Sequence, residues 1–278
     1  MIVLLIGGTG FLGSHLSEEL IRNGVTVRTA ARRNATYTVD VTRPATLIPA
    51  MTGVDVVVNL VALSPVRGYR RQHYWAVNHR GACNVAKAAA ELGVPRLVHL
   101  SALGVTTTNR APYSRSKARA VRDITQEPRR FSVPPQVTVV EPALLLGAGG
   151  EIETMLKRIA AVAARVPIPV SVPLPRIPVL MQPVPVTEAA RRIAQLIGTS
   201  GEKSPKVQRV ELGGSRVLAM SDIPAEFLRS RGVRTVWLPH WITPMLLYIV
   251  SRIPLYGMPR HIDDLLKLRN VVAQEGGV

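Results

Sequence analysis

Three polar residues near the middle of the chain have the types and spacing that suit proton transfer. Tyr113 and Lys117 are four residues apart, so on a helix they lie on one face, and Ser101 precedes them at the end of an apolar run. A lysine ammonium beside a tyrosine favours the phenolate and lowers the tyrosine pKa from its usual value of about 10. The serine hydroxyl could donate to a carbonyl oxygen while the tyrosine transfers a proton. The structural alternatives are an ordinary helix start and a serine that caps a turn.

A glycine-rich segment near residue 10 has the position of a phosphate loop. Gly7, Gly10 and Gly13 follow an apolar run directly and open a helical pattern. Glycine permits a tight turn, close approach of the backbone to a pyrophosphate and close packing of helix on strand, and the helix start offers free N–H groups. We therefore predict a dinucleotide site formed by Gly7, Thr9, Gly10, Phe11, Leu12 and Gly13.

The residues after the second apolar run indicate which dinucleotide binds. A ribose 2′-hydroxyl is usually bound by a carboxylate about 20 residues after the loop, whereas a 2′-phosphate is bound by arginine. Here the segment 29–34 contains no acid, and Arg32 and Arg33 stand at the discriminating position. NADP(H) is therefore favoured over NAD(H), with Arg32 as the main contact and Arg33 next. Because arginine pairs recur along the chain, a chance occurrence is the alternative.

The elements that must position these groups follow a repeating strand and helix order. Patterns typical of strands lie at 2–6, 25–30, 54–61, 96–101 and 136–141, and helical patterns lie at 13–23, 44–51, 75–92 and 113–124. This alternation predicts an α/β fold with a Rossmann-type doubly wound parallel sheet. Right-handed crossovers bring the carboxyl ends of all strands to one edge of the sheet, where ligands bind.

The regular alternation fades after residue 150. A helix is predicted at 152–165, then a segment at 167–185 whose seven prolines exclude a regular helix or central strand, a helix at 187–197, a strand at 207–212 and two further helices. We predict a dinucleotide-binding domain over 1–150, with 184–200 packing back onto it. A small, irregular C-terminal lobe for substrate or partner would comprise 151–183 and 201–278.

Composition limits the classes of partner. The formal net charge of +17, from 35 basic and 18 acidic residues, favours anionic ligands or surfaces. No finger spacing or aromatic-studded basic motif accompanies the charge, so no specific nucleic-acid partner is predicted. Cys83, as the single cysteine, excludes an internal disulfide and a cysteine metal cage, and the six histidines lack metal-ligand spacing, so no metal site is predicted.

The apolar segments bear on localisation. The run at 2–6 is too short for a signal peptide, and the uncharged stretch 235–251 is too short and too proline-rich for a transmembrane helix. That stretch could line an apolar pocket, lie on a membrane or contact a partner. We predict a cytoplasmic protein with a small-molecule substrate, and peripheral contact with a membrane complex or anionic surface and homo-oligomerisation stay open.

Taken together, the motifs resemble those of the short-chain dehydrogenase/reductase superfamily. They are GGTGFLG at 7–13, NLVAL at 59–63, HLSALGV at 99–105, YSRSK at 113–117 and VVEPALLLG at 139–147. Within the atypical and extended branch, the chain is similar to nucleotide-sugar epimerase-like proteins. The segments 181–194 and 211–223 are similar to the NAD(P)-binding accessory subunit of respiratory complex I.

The resemblance implies roles for individual residues. Tyr113 would be the general acid/base, Lys117 would lower its pKa and hold the nicotinamide ribose, and Ser101 would polarise the substrate oxygen. Glu141 stands where relatives usually have arginine, which leaves the substrate open. Further cofactor contacts are implied at Asp40, Val41, Leu60, Val61, Ala62, Asn78, Pro142 and Leu145.

These observations lead to the hypothesis of an NAD(P)(H)-binding oxidoreductase that acts on a carbonyl, an alcohol or a sugar-type substrate. One alternative is a nucleotide-sugar epimerase or dehydratase. The other is a non-catalytic accessory subunit of a respiratory complex, in which the dinucleotide is structural.

Overall fold

A computed structural model describes residues 1–126, 134–165, 171–177, 179–199, 206–239, 241–242 and 271–273. Its strands are β1 (Ile2–Ile6), β2 (Thr26–Ala31), β3 (Tyr37–Thr38), β4 (Val56–Asn59), β5 (Arg96–Leu100), β6 (Gln136–Pro142), β7 (Leu145–Leu146), β8 (Ser171–Pro175), β9 (Leu180–Met181), β10 (Val184–Pro185), β11 (Val207–Leu212), β12 (Leu218–Ala219) and β13 (Arg234–Leu238).

The helices are α1 (Phe11–Arg22), α2 (Ile48–Met51), α3 (Arg71–Tyr74), α4 (Ala82–Glu91), α5 (Pro112–Gln126), α6 (Glu151–Ala164), α7 (Val186–Thr199) and α8 (Asp222–Arg229). A π-helical segment, Trp75–Gly81, joins α3 to α4, so one helical pattern in the sequence corresponds to three connected segments. No helix in the described part of the chain is both long enough and apolar enough to cross a membrane.

Seven parallel strands form the central sheet, in the order β3–β2–β1–β4–β5–β6–β11. Alternate residues of β1 point to opposite faces, so Leu4 and Ile6 pack under α2, α4 and α5, whereas Val3 and Leu5 pack under α1 and α7. Because both faces are covered, the central strands are apolar almost throughout. The predicted doubly wound parallel sheet is confirmed.

The seventh strand corrects one prediction. Val207–Leu212 was assigned to the C-terminal lobe, but β11 lies beside β6 in the central sheet, with Val210 opposite Val140. The pairing covers the edge of β6, and Val210 and Leu212 complete the apolar layer under α7.

Several of the remaining described segments pack together outside the central sheet, within the predicted lobe. Helices α6 and α8 pack around Leu156, Leu174 and Leu228, and β8 pairs in parallel with β13. In its described residues, the proline-dense segment contributes three strands of two to five residues, each in a two-stranded pair outside the central sheet. The last predicted helix and the part of the 235–251 stretch beyond residue 242 lie outside the described residues.

Candidate active site

The residues predicted to do chemistry meet at the carboxyl edge of the central sheet. Gly7 follows β1, and Ser101 follows β5, with its backbone N–H bonded to the carbonyl of Val140 at 2.8 Å. Helix α5 starts at the same edge, so it carries Tyr113 and Lys117 to the end of β5. Residues far apart in sequence are thus assembled at one place by the parallel topology.

The glycine loop has the backbone that a phosphate site requires. Gly7 has a φ of 90°, a left-handed conformation that favours glycine, and its carbonyl accepts the N–H of Gly10 at 3.0 Å. Gly10 precedes α1, and no side chain caps this helix start, which also has no acidic residue in its first turn. The first N–H groups of α1 are therefore available to an anion.

Gly13 is the position at which the loop tolerates no side chain. A Cβ atom there would come within 2.3 Å of the Gly7 carbonyl oxygen and 2.7 Å of the Gly8 Cα. Packing of α1 directly on the loop therefore depends on this residue. These features fit a pyrophosphate-bearing cofactor at the loop.

Arg32 and Arg33 lie on the exposed turn after β2, where a ribose 2′-substituent is predicted. The carboxylate of Asp40 lies close enough to Arg32 for their charges to interact. Hydrogen bonds from Thr42 lower the pKa of Asp40, and Arg43 and Arg32 lower it further, so Asp40 is anionic at neutral pH. Next to it, the buried Val41 packs against the Cα of Gly81, where a Cβ would come within 2.6 Å of it.

The segment after β4 contains Leu60, Val61 and Ala62, and it lies at the same edge as the glycine loop. A Cβ on Gly7 would contact Val61 at 3.2 Å, so the two segments touch. The side-chain amide of Asn78 is hydrogen-bonded to the backbone of this segment. Its Oδ1 accepts the N–H of Leu63 at 2.7 Å and its Nδ2 donates to the carbonyl of Leu63 at 3.3 Å. Asn78 therefore holds the backbone of this segment in place.

Lys117 is buried to 1% exposure, and its Nζ donates to the carbonyl of Leu100 at 2.5 Å. Burial lowers the pKa of Lys117 to about 7. Tyr113, one helical turn earlier, is partly buried, and its ring stands edge-on to that of Tyr74 at 6.1 Å. Burial, with a smaller contribution from Tyr74, raises the pKa of Tyr113.

The net shift of the Tyr113 pKa is opposite to the predicted one, because burial raises this pKa by more than any attraction to Lys117 lowers it. Because Lys117 itself is desolvated, it carries a full positive charge only below about pH 7. At neutral pH Tyr113 is protonated, so this structure presents a proton donor.

Ser101 lies on the side of the sheet that faces α5. It is 3% exposed, and its Oγ has no hydrogen-bond partner among the described residues. A buried hydroxyl without a partner is uncommon, so an additional polar group is expected beside it. Contact with a substrate oxygen would require this part of the edge to open.

His99 was not predicted as a site residue, and the structure shows it as a packed residue of β5. It lies two residues before Ser101 and is 1% exposed. The N–H of Val61 donates to Asn59 Oδ1 at 3.2 Å, so the Asn59 amide nitrogen faces His99 Nδ1 at 3.3 Å. Nδ1 then accepts, and the hydrogen lies on Nε2, which has no partner in the described structure. Burial, and next the charge of Lys117, lower the pKa of His99, so the ring is neutral.

Tyr74 was also missed, because nothing in its local sequence distinguishes it from a core aromatic. Its hydroxyl donates to the carbonyl of Ser64 at 3.2 Å and accepts the N–H of Tyr69 at 3.3 Å. Tyr74 thus links the turn after β4 to the ring of Tyr113.

The far end of the predicted cofactor groove is formed by the last residues of β6 and the segment that follows them. Pro142 accepts the N–H of Leu103 at 2.9 Å, and Leu145 pairs with Val184. Glu141 follows Val140, which pairs with Leu100 of β5. Glu141 is partly buried, and this burial raises its pKa. The turn at 147–150 returns to the glycine loop, where a Cβ on Gly150 would come within 3.0 Å of the Phe11 ring.

One group of possible metal ligands lies away from this edge. The ligand atoms of His79, Cys83 and Asp123 are within 4.8 Å of one another. The Asp123 carboxylate accepts hydrogen bonds from His79, Arg119 and Arg122. Two guanidinium groups on one carboxylate oppose a further cation there, so this cluster is better described as an ion-pair network.

Comparison with known proteins places these features in context. The family model described as the NAD dependent epimerase/dehydratase family matches residues 3–172. Sterol demethylase protein B of Methylococcus capsulatus is 27% identical over 174 residues, which cover 53% of this chain and 52% of that protein. Ceramide reductase of Caulobacter vibrioides is 28% identical over 181 residues, covering 60% and 52%. The chain thus spans about half the length of these two relatives.

The fold is also found among solved structures. MoeE5 in complex with UDP-glucose and NAD superposes with a TM-score of 0.71, at 19% identity, over 100% of this chain and 96% of that one. At this identity the similarity establishes the fold.

Proposed function

The chain belongs to the NAD dependent epimerase/dehydratase family, and on this basis we propose that it is an NAD(P)(H)-dependent oxidoreductase acting on a carbonyl or alcohol. The observation that carries the proposal is the placement of Tyr113, with Lys117 one turn behind it, at the sheet edge that also carries the glycine loop. A proton donor and a dinucleotide cradle on one edge are what reduction of a carbonyl requires.

The chain's own groups would act as follows. The N–H groups at the start of α1 bind the pyrophosphate, with Gly7 and Gly13 allowing its close approach. Tyr113, protonated at neutral pH, donates its hydroxyl proton to the substrate oxygen. Lys117 in its cationic form stabilises the phenolate that remains. A bound nicotinamide supplies the hydride.

Ser101 would orient the substrate oxygen through its unpartnered hydroxyl. Ser101 lies two residues after His99, on the same face of the strand. The Nε2–H of His99 also lacks a partner in the described structure. Two buried donors on one side of the site suit a ligand that brings hydrogen-bond acceptors, such as a carbonyl or a hydroxyl.

NADP(H) is our proposed cofactor in preference to NAD(H). The support is Arg32, an exposed arginine at the end of β2, with Arg33 beside it. Against it, Asp40 is anionic and lies near Arg32, so part of the arginine's charge is offset. The strength of the preference for NADP(H) over NAD(H) therefore depends on how far the Asp40 carboxylate offsets the charge of Arg32.

A direct test is hydride exchange between NADPH and a panel of ketones, aldehydes and keto-sugars, followed by the loss of NADPH absorbance. We expect turnover by the wild-type protein, and in Tyr113→Phe a fall of about 100-fold or more, as is usual for loss of a general acid. NADPH titration by fluorescence should give the same affinity for both proteins.

The two alternatives give different results in the same assay. An epimerase would retain its nicotinamide in a tight complex and convert a nucleotide sugar without net change in absorbance. If the wild type binds NADPH but turns over no member of the panel, and Tyr113→Phe changes nothing, the oxidoreductase proposal fails and an accessory role in a larger assembly is favoured.

A further inference from the structure

The C-terminal lobe contains arginines that form no salt bridge to any residue the structure describes. Within the part of the chain that the structure describes, the lobe's carboxylates Glu153 and Glu226 pair with Lys157 and Arg216, and Glu151 pairs with Arg67. Four further arginines close together in the lobe form no salt bridge to a described residue. They are Arg176, Arg229, Arg231 and Arg234.

Three of these guanidinium groups lie near aromatic rings. The Cζ atoms of Arg176 and Arg229 lie 5.7 and 5.9 Å from the ring centre of Trp237, and Arg231 lies 3.8 Å from that of Phe227. Arg229 Nε also donates to Thr235 Oγ1 at 3.0 Å. Because such contacts already restrict the arginine side chain, less conformational entropy is lost when it binds an anion.

A shallow concavity of about 460 Å³, wide open to solvent, lies beside these arginines, and we call it the lobe concavity; the side chains of Arg229 and Arg234 in its lining are exposed. Its described lining residues include two arginines, a serine and a threonine, and none of them is acidic. The lining residues are Ser171, Arg229, Gly232, Val233, Arg234 and Thr235. Guanidinium groups and hydroxyls are the side chains that bind phosphoryl oxygens most readily.

The lobe concavity is formed by different elements from the candidate active site. Ser171 and Arg234 are the first paired residues of β8 and β13, and Arg229 ends α8. None of the lining residues belongs to the central sheet or to the loops at its carboxyl edge. An anion bound here would be additional to a dinucleotide at the glycine loop.

We propose that the lobe concavity is a second anion site, which binds the phosphoryl group of a phosphate monoester or diphosphate. Arg229 and Arg234 contribute the positive charge, Ser171 and Thr235 the neutral donors, and Arg176 adds to the positive field from beside Trp237. The phosphoryl group could belong to a free metabolite or to a lipid headgroup, since both present the same oxygens. The proposal does not depend on turnover at Tyr113.

Inorganic pyrophosphate is the probe for the site itself. Titration calorimetry on the full chain, in the presence of saturating NADPH to occupy the glycine loop, should show one saturable site with a dissociation constant on the order of 1 mM or tighter. Arg229→Gln with Arg234→Gln should weaken binding by about tenfold or more, because two charge-assisted contacts are lost. Trp237 fluorescence, read in a Trp75→Phe, Trp241→Phe background, should change over the same concentrations.

A matched control separates a built site from general attraction to a basic protein. Arg22→Gln with Arg191→Gln removes the same charge from exposed positions on α1 and α7, and it should change the affinity by less than about twofold, because exposed charges at a distance are screened. Equal weakening by the two double variants would overturn the proposal. So would pyrophosphate binding that NADPH abolishes, or no saturable binding at all.

A second arm identifies the source of the phosphoryl group. Sedimentation with phosphatidylcholine vesicles, with and without phosphatidylglycerol, is compared for the wild type and both double variants. Binding to the anionic vesicles that is lost only in Arg229→Gln with Arg234→Gln assigns the site to lipid headgroups. Pyrophosphate binding without vesicle binding assigns it to a free phosphate ester.

Discussion

Lys117 Nζ donates a 2.5 Å hydrogen bond to the main-chain carbonyl of Leu100, the last residue of β5, which lies between His99 and Ser101. The bond anchors the lysine below the site, and it forms in either charge state because a neutral amine still donates. It also explains how a side chain with 1% exposure is tolerated in the core. The same burial makes its charge sensitive to pH near neutrality.

Replacement of Lys117 by methionine should therefore change stability in a pH-dependent way. Burial lowers the folded-state pKa of Lys117 to about 7 from a model-peptide value of 10.5, so the unfolded chain binds more protons between these values. The destabilisation caused by Lys117 is fully present below pH 7 and is relieved as pH rises towards 10.5. Differential scanning fluorimetry should show the melting temperature of Lys117→Met rising relative to wild type as pH falls from 10 to 7 and then levelling. A difference independent of pH would contradict a desolvated lysine.

Substitution at Gly13 should disturb both the loop and cofactor binding. The added Cβ of Gly13→Ala meets backbone atoms of Gly7 and Gly8 that cannot move independently, so we expect a loss of about 1–3 kcal/mol or more and weaker NADPH binding. Gly198→Ala is the matched control, since nothing lies within 4 Å of its added Cβ in α7. That change should be neutral or stabilise by up to about 1 kcal/mol. Similar urea denaturation midpoints for the two variants would show that the loop is less constrained than the structure indicates.

The dinucleotide preference depends on an exposed side chain, so it can be tested without damage to the fold. We expect Arg32→Ala to reduce NADPH affinity by about tenfold, the effect of one lost charge-assisted contact, and to leave NADH affinity nearly unchanged. Arg33→Ala should have a smaller effect, and Arg115→Ala, an exposed arginine on α5, should have none. Fluorescence titration with both cofactors measures this. Equal losses for NADPH and NADH would refute the assignment of a 2′-phosphate contact.

Asn78 provides a test of a scaffold role against direct cofactor contact. Removing its amide in Asn78→Ala leaves both backbone groups of Leu63 without their partner, which should cost about 1–3 kcal/mol in the cofactor-free protein. The exposed Asn23, at the end of α1, is the control, and Asn23→Ala should change the free energy of unfolding by less than about 0.5 kcal/mol. Unchanged stability together with reduced cofactor affinity would support the direct contact that the family resemblance implies.

Much of the candidate site was predictable because it depends on short-range rules. The spacing of Gly7, Gly10 and Gly13 after an apolar strand follows from steric limits that act within a few residues. The alternation of apolar runs and helical patterns predicted a parallel sheet, and parallel topology places Ser101 and Tyr113 at one edge. The motifs therefore indicated both the family and the location of the site.

Other features depended on which distant segments meet. Isolated Tyr113 and Lys117 suggest a lysine that lowers the tyrosine pKa, but the degree of burial decides the direction of both shifts, and burial is a property of the packed structure. Likewise, β11 joins the central sheet because its partner strand β6, some 70 residues earlier, offers an open edge.

The sequence by itself determined the Rossmann-type sheet, the glycine loop and the spacing of Tyr113 and Lys117, since these are set by local periodicity and by glycine geometry. Only the tertiary structure decided that Lys117 is desolvated against Leu100, and that His99 Nε2 faces no partner in the described structure. It also decided that four lobe arginines lie near one another without a salt bridge to any described residue. The physical reason is that desolvation and charge pairing are fixed by neighbours in space, and most of those neighbours are far away along the chain.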